Sequence, residues 1–125
     1  MIIFDLESTG NYDEIWKGAA IASIAAMEYE NPKNRFEIQC RVPDDSIFNK
    51  VSLKYTGYTK EELTDTNRLP EEECLKKYID WHKNIQNQTI IGLNPWVLDM
   101  PLLLFRLNHY GIVHDLNRSG IHQTL

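Results

Sequence analysis

Apolar and polar positions divide the first third of the chain into three short strands. Residues 1–6 form a nearly continuous apolar run, which is typical of a strand at the centre of a sheet. Residues 18–29 are apolar and rich in small side chains, and residues 35–42 alternate between apolar and polar positions. Residues 31–34, Asn-Pro-Lys-Asn, have the composition of a turn between them. The pattern therefore predicts a meander in which three strands run antiparallel.

The rest of the chain alternates between helical and strand-like segments, after a stretch at residues 43–57 without a clear pattern. The predicted elements are a short helix after Thr59, a long helix from Pro70, a strand at residues 89–92, a helix at residues 97–110 and a strand beginning at Ile121. The short helix starts with a capping box, and the first turn of the long helix carries three glutamates that the helix dipole favours. This order predicts an α/β fold, with helices packed on a mixed sheet.

Composition and charge narrow the class of protein. A chain of 125 residues with 42% hydrophobic and 25% charged residues is expected to form a single globular domain. It has no apolar run of membrane-spanning length, so no membrane partner is expected. Cys40 and Cys74 show no metal or disulfide spacing, which predicts a reducing, cytoplasmic setting. A net charge of −5 argues against a broad basic surface for nucleic acid, although metal ions could still hold a strand end.

Asp5 and Glu7 are the most informative residues of the sequence. Side chains at positions i and i+2 of a strand share a face, so the two carboxylates are expected to lie side by side. They would repel each other and be costly to bury unless a divalent cation such as Mg²⁺ lay between them. The alternative is a strand edge with two solvated carboxylates, which the apolar neighbours disfavour.

Asp99 is a second carboxylate in an unexpected place, because it begins an otherwise apolar helix. The loop before it carries Asn94 and Trp96. From the residues alone two explanations are open. Asp99 could cap the helix, with Pro101 in the first turn, or it could join the two carboxylates of the first strand.

Four segments occur in a recognisable order along the chain. They are Phe4-Asp5-Leu6-Glu7-Ser8-Thr9-Gly10, then Asp13-Glu14-Ile15 with Gly18-Ala19-Ala20-Ile21, then Thr56-Gly57-Tyr58-Thr59 through Leu63, and finally Gly92-x-Asn94 with Asp99-Met100-Pro101-Leu102-Leu103. Together they resemble the motifs of the DEDD (DnaQ-like) 3′–5′ exonucleases over residues 2 to about 110. Leu98 replaces the usual aromatic residue before the second-motif Asp. The third motif of that family, a His or Tyr followed by a fourth Asp on a C-terminal helix, is absent.

The resemblance implies a ribonuclease H-like fold, with a three-strand antiparallel meander, parallel strands and flanking helices. Residues 1–125 would form a single exonuclease-type domain that is incomplete at its C-terminus. The implied activity is metal-dependent 3′–5′ exonuclease cleavage, which removes nucleoside 5′-monophosphates from the 3′ ends of single-stranded DNA or RNA with two Mg²⁺ or Mn²⁺ ions. A homodimer or a larger replication or repair assembly is compatible with such a protein.

Residue roles also follow from the resemblance. Asp5 would bridge both metals, Glu7 would hold the metal that activates water, and Asp99 would support the other. The residues implied to contact the terminal nucleotide are Leu6, Ser8, Thr9, Gly10, Asn94 and Trp96. For Trp96 the contact would be stacking on a base, and the alternative is a partly buried loop anchor.

Two other functions stay open at the level of the sequence. The missing third motif favours a catalytically impaired ribonuclease H-like module that binds nucleic acid or a protein partner. A metal-dependent nuclease that acts on RNA–DNA hybrids is a further alternative, which the Thr9-Gly10 turn fits less well. The three carboxylates favour the exonuclease, because a pure binding module does not need them.

Overall fold

The computed structural model describes residues 1–93 and 98–116, together with the backbone of residues 121–124. Its elements are β1 (Ile2–Ser8), a 3₁₀ helix (Tyr12–Lys17), β2 (Ile21–Glu28), β3 (Asn31–Arg41), α1 (Lys50–Thr56), α2 (Lys60–Leu63), β4 (Leu69–Pro70), α3 (Glu71–His82), β5 (Ile90–Leu93), α4 (Asp99–His109) and β6 (Ile121–Thr124). The strands form one sheet in the order β4-β3-β2-β1-β5-β6. β1, β2 and β3 are antiparallel, whereas β5 runs parallel to β1 and β6 parallel to β5. The predicted α/β class, meander and mixed sheet are confirmed.

β1 lies at the centre of this sheet, as its apolar sequence predicts. Ile2, Phe4 and Leu6 are buried in the main core, together with buried side chains of α3 and α4. The Phe4 ring meets the ring of Tyr78 on α3 edge to face, with centroids 5.3 Å apart. Ile3 belongs to the opposite face and is 38% exposed. The strand therefore has a core face and an open face, and its two carboxylates occupy the open one.

The turn between β2 and β3 differs from the prediction. Glu28 pairs with Asn31 across a two-residue turn, and the next pair is Met27 with Arg35. Residues 32–34 therefore form an irregularity inside β3, and the turn predicted at residues 31–34 is wrong. Proline has no N–H to donate to a sheet ladder, so Pro-containing segments are tolerated at such bulges.

Helix α1 lies in the stretch where the sequence shows no pattern. The side chain of Asn49 caps it by accepting hydrogen bonds from the amides of Val51 at 2.9 Å and Ser52 at 3.1 Å. Gly57 ends it in the left-handed conformation, with φ +82°. None of its residues is buried, so the helix leaves no apolar stripe in the sequence. The predicted capping box at the start of α2 is confirmed.

Two cysteines that are distant in sequence meet in the core. Cys40 on β3 and Cys74 on α3 are both free and fully buried. The Cys74 thiol donates to the carbonyl of Leu69 at 3.4 Å, and its hydrogen bond to Cys40, together with burial, raises the pKa of the Cys40 thiol. The two thiols thus help to join α3 to the sheet.

The longest described helix, α3, has 12 residues. Within the described residues, no helix combines the length and the apolar character needed to cross a membrane.

Candidate functional site

A cavity of about 350 Å³ opens at the C-terminal end of β1. It is lined by the side chains or backbone of Asp5, Leu6, Glu7, Ser8, Gly10, Asn11, Val51, Ser52, Tyr55, Thr56 and Leu98. A second cavity, of about 440 Å³ on the open face of the sheet, shares Asp5 and Glu7 with the first. The two carboxylates therefore stand side by side where both cavities meet, as the i, i+2 spacing predicts.

Asp99 lies at the start of α4, close enough to Asp5 for their charges to repel. Leu98 occupies the cap position, and no side chain caps the helix there, so the capping explanation for Asp99 does not hold. Burial and the charge of Asp5 raise the pKa of Asp99 to about 7, although the backbone amide of Leu6 works in the opposite direction. The pKa of Asp5 is also raised, mainly by burial. The structure thus brings Asp5 and Asp99 together.

The course of β1 and β5 explains why these residues meet. The two parallel strands pair only at Ile2 with Ile90 and at Ile3 with Ile91. Beyond Ile3 they no longer pair, and the amide of Leu6 faces the carboxylates of both aspartates. In open α/β folds, ligands bind in crevices outside the carboxyl ends of neighbouring strands that diverge in this way.

The Ser8-Thr9-Gly10 turn shapes the floor of the cavity. The Ser8 hydroxyl donates to the carbonyl of Gly10 at 2.9 Å and accepts from its amide at 3.0 Å. A Cβ on Gly10 would lie 2.9 Å from the Cβ of Ala19, so a larger residue would displace the backbone. Thr9 is fully buried behind the floor, where its hydroxyl accepts from the amide of Ala20 at 2.9 Å. Ser8 and Gly10 face the cavity, whereas Thr9 anchors the turn to β2.

The opposite wall of the cavity is helix α1, a site element that the sequence pattern does not indicate. Tyr55 is 94% exposed and Val51 is 71% exposed, although both line the cavity. The only signals in the sequence are Asn49 as a possible helix cap and the i, i+4 spacing of these two apolar residues. Sequence reasoning could have found the helix from that cap, but not its place beside Asp5.

Hydrogen bonds hold α1 in place against the segment that follows β1. The side-chain amide of Asn49 donates to the Glu14 carboxylate at 2.9 Å, and the backbone amide of Asn49 donates to the carbonyl of Thr9 at 2.8 Å. The Ser52 hydroxyl donates to the side chain of Asn11 at 3.2 Å. The wall is therefore fixed to the same turn that forms the floor. Asn94 and Trp96, the other predicted substrate contacts, lie outside the described residues.

The donor set suits a hard divalent cation in its chemistry. Asp5, Glu7 and Asp99 supply carboxylate oxygens, and none of them takes part in an ion pair within residues 1–93 and 98–116. The pKa of Asp99 is raised first by burial and then by the negative charge of Asp5. Among the described residues, no three His, Cys, Asp or Glu side chains are grouped as a ready metal site. The structure therefore shows two carboxylates that repel each other, those of Asp5 and Asp99, with Glu7 beside Asp5.

Comparison with solved structures identifies the fold. Escherichia coli exonuclease I in complex with a dT13 oligonucleotide superposes with a TM-score of 0.74 at 16% identity, over 98% of this chain and 27% of that one. A product-bound exonuclease I gives a TM-score of 0.72 at 16% identity, over 98% and 29% of the two chains. The metal-free form of the E. coli enzyme with single-stranded DNA gives 0.70 at 15% identity, over 98% and 27%.

The chain spans less than a third of the length of these proteins. No known family model matches the sequence, and no curated protein matches it either. At such low identity the structural match speaks for the fold alone. The chain therefore has the ribonuclease H-like fold of exonuclease I, which is the fold that its sequence motifs predict.

Proposed function

We propose that this chain is the nuclease domain of a metal-dependent exonuclease that shortens single-stranded nucleic acid from its 3′ end. One observation carries the proposal: the unbalanced carboxylates of Asp5 and Asp99 meet beside a cavity, in a fold shared with exonuclease I. Structures of E. coli exonuclease I hold dT13 and dA16 oligonucleotides, which supports single-stranded DNA as the substrate class for this chain.

The proposed cofactor is a pair of Mg²⁺ or Mn²⁺ ions, held by the carboxylates of Asp5, Glu7 and Asp99. When bound, such ions stabilise the attacking and leaving oxygens of an in-line displacement at phosphorus. The chain contributes the position of the three carboxylates and a Leu6 amide that favours the ionised form of both aspartates. Their mutual repulsion is the energy that a bound cation would relieve.

Helix α1 supports the proposal for single-stranded substrate. Tyr55 exposes an aromatic ring at the cavity wall, and an unpaired base can stack on such a ring whatever its identity. Helix α1 also carries Lys50 and Lys54 and no acidic residue, so it offers cationic side chains for contacts with phosphates. The cavity would take the terminal nucleotide, and α1 would contact the strand that leads to it.

The activity should depend on added metal and act from one end. With Mn²⁺, a 5′-labelled single-stranded oligonucleotide is expected to give a ladder of shortened products, and a 3′-labelled one is expected to release labelled mononucleotide at once. EDTA should stop both reactions, because the carboxylates alone supply no Lewis acid. Gel electrophoresis of both substrates over time checks this. Internal fragments from either label would contradict the proposal.

A second function is favoured by one feature of the cavity. No histidine is among the described residues that line it, and the His or Tyr of the third motif of the resembling family is absent from the sequence. Such a site could bind nucleic acid without cleaving it, because a general base is worth roughly 10²–10⁴-fold in rate. Fluorescence anisotropy with a labelled oligonucleotide separates the two functions, since a binding module would bind the strand and leave it intact in Mn²⁺.

Tyr55→Ala is expected to raise the KM for a single-stranded oligonucleotide about tenfold and to change kcat much less. A base stacked on an aromatic side chain contributes about 1–3 kcal/mol, and the remote wall of the cavity does not touch the reacting phosphate. Steady-state kinetics with an oligonucleotide of fixed length measure both constants. Tyr12→Ala is the matched control, because that ring is 64% exposed on the 3₁₀ helix and is not among the residues that line the cavity. Equal effects of the two substitutions would argue against stacking on α1.

A further inference from the structure

Glu71 and Arg106 form an ion pair that is almost completely removed from water. Their side chains are 0% and 5% exposed. The guanidinium donates through Nε at 3.1 Å and through Nη2 to the carboxylate, which also accepts from the hydroxyl of Tyr110. Burial lowers the pKa of Arg106, but the hydrogen bonds and charge of Glu71 raise it overall, so the guanidinium stays charged. The sequence presents Glu71 only as one of three glutamates at a helix start.

The carboxylate of Glu71 also reaches the sheet. It accepts a hydrogen bond from the amide of Ile21 at 2.7 Å. Ile21 is the first residue of β2 and pairs with Ser8, immediately after the register shift between Glu7 and Ser8. Glu71 therefore fixes β2 at the point where β1 leaves the ladder and its carboxylate-bearing segment ends.

Arg106 connects the same carboxylate to the helix that carries Asp99. The two residues lie on α4, seven positions apart, which is about two turns and places them on the same side of the helix. Movement of Arg106 would therefore shift or rotate the start of α4. One buried carboxylate thus joins the segment of Asp5 and Glu7 to the helix of Asp99.

A buried ion pair of this kind contributes little net free energy to folding. Desolvation of two buried charges offsets much of their attraction, and apolar residues of similar size often stabilise a core as well. No buried side-chain nitrogen or oxygen among the described residues lacks a hydrogen-bond partner, and the guanidinium bonds both the carboxylate and the Tyr110 hydroxyl, which favours a fixed geometry of the cluster. Its distinctive contribution is the fixed orientation of α4 against β1 and β2.

We propose that Glu71 and Arg106 are positioning residues, which hold Asp99 close to Asp5 so that the two aspartates can share a metal ion. The inference rests on the proposed function, because the distance between the carboxylates matters only if they share a ligand. Partners that hydrogen-bond to metal ligands typically affect metal affinity 10–100-fold. Glu71 and Arg106 act through β2 and α4 rather than by direct contact, so we expect an effect at the lower end of this range.

The test measures Mn²⁺ binding by isothermal titration calorimetry, so it does not depend on catalysis. Glu71→Gln is expected to weaken Mn²⁺ binding at least about tenfold in protein that stays folded by circular dichroism. Arg106→Lys is the second variant, in case the first fails to fold. It keeps the charge but loses the planar fork, so it should weaken binding in the same direction.

Leu75→Ala is the matched control. Leu75 is fully buried on α3, as Glu71 is at its start, but it belongs to the apolar core. We expect it to lower the melting temperature and to leave Mn²⁺ affinity unchanged. Variants of the pair that lose thermal stability yet bind Mn²⁺ like the wild type would overturn the inference and leave the proposed function intact. If the wild type itself binds no Mn²⁺, both the metal site and the positioning role are overturned together.

Discussion

Asp5→Asn is expected to lower the rate of 3′ end digestion by about 10³-fold. Asn keeps the size of the side chain but removes the charge from the residue that lines both cavities with Glu7 and repels Asp99. Metal ions supply several kcal/mol of charge stabilisation in such reactions, and each 1.4 kcal/mol is about tenfold in rate. Single-turnover digestion of a 5′-labelled oligonucleotide at saturating Mn²⁺ measures the loss.

Asp44→Asn is the control for this substitution. It makes the same chemical change on an exposed side chain in the loop after β3. Its rate should match the wild type, and thermal unfolding should show that both variants are folded. Activity of Asp5→Asn within tenfold of the wild type would mean that the nuclease chemistry, if present, does not use this carboxylate.

The elements that the sequence predicts well are those with a local cause. The first strand is predicted by its apolar run, and the start of α2 by a capping box between Thr59 and Glu62. Helix α1 has only the Asn49 cap as a local signal and no apolar stripe, because helical periodicity arises from burial of one face and this helix buries no side chain. The β2–β3 turn is displaced from its predicted place because Pro32 is accommodated at an irregularity of the ladder.

The residues of the candidate site also differ in whether local sequence is enough to predict their position. The shared face of Asp5 and Glu7 follows from the period of a strand and needs no tertiary information. The approach of Asp99 depends on β5 pairing beside β1, which only the resemblance to a known family could indicate. Glu71 is out of reach for either argument, because its partner Arg106 lies 35 positions away and a first-turn glutamate is otherwise an ordinary surface residue.

Asp99→Asn is expected to make the metal-free protein more stable at pH 8, by about 2 kcal/mol in the free energy of unfolding. The folded chain raises the pKa of Asp99 from 3.8 to about 7, through burial and the charge of Asp5. The folded state therefore binds more protons than the unfolded state between these values, and the wild type loses stability as the pH rises through this range. The full shift corresponds to about 4 kcal/mol, which we reduce because water reaches part of the side chain.

Urea denaturation in EDTA at pH 4, 6 and 8 measures this effect. The gain should be small at pH 4, increase through pH 6 and be largest at pH 8, with Asp44→Asn unchanged relative to the wild type throughout. Because Asp5 and Asp99 interact, the apparent midpoint belongs to the pair rather than to one residue. Mn²⁺ should reverse the order of stability, since a ligand that binds only the folded state stabilises it in proportion to RT ln(1 + [L]/Kd), and the variant lacks one ligand. A gain that is independent of pH would contradict the raised pKa of Asp99 in the folded state. A gain that Mn²⁺ leaves unchanged would contradict the proposal that a metal ion relieves the repulsion between the two aspartates.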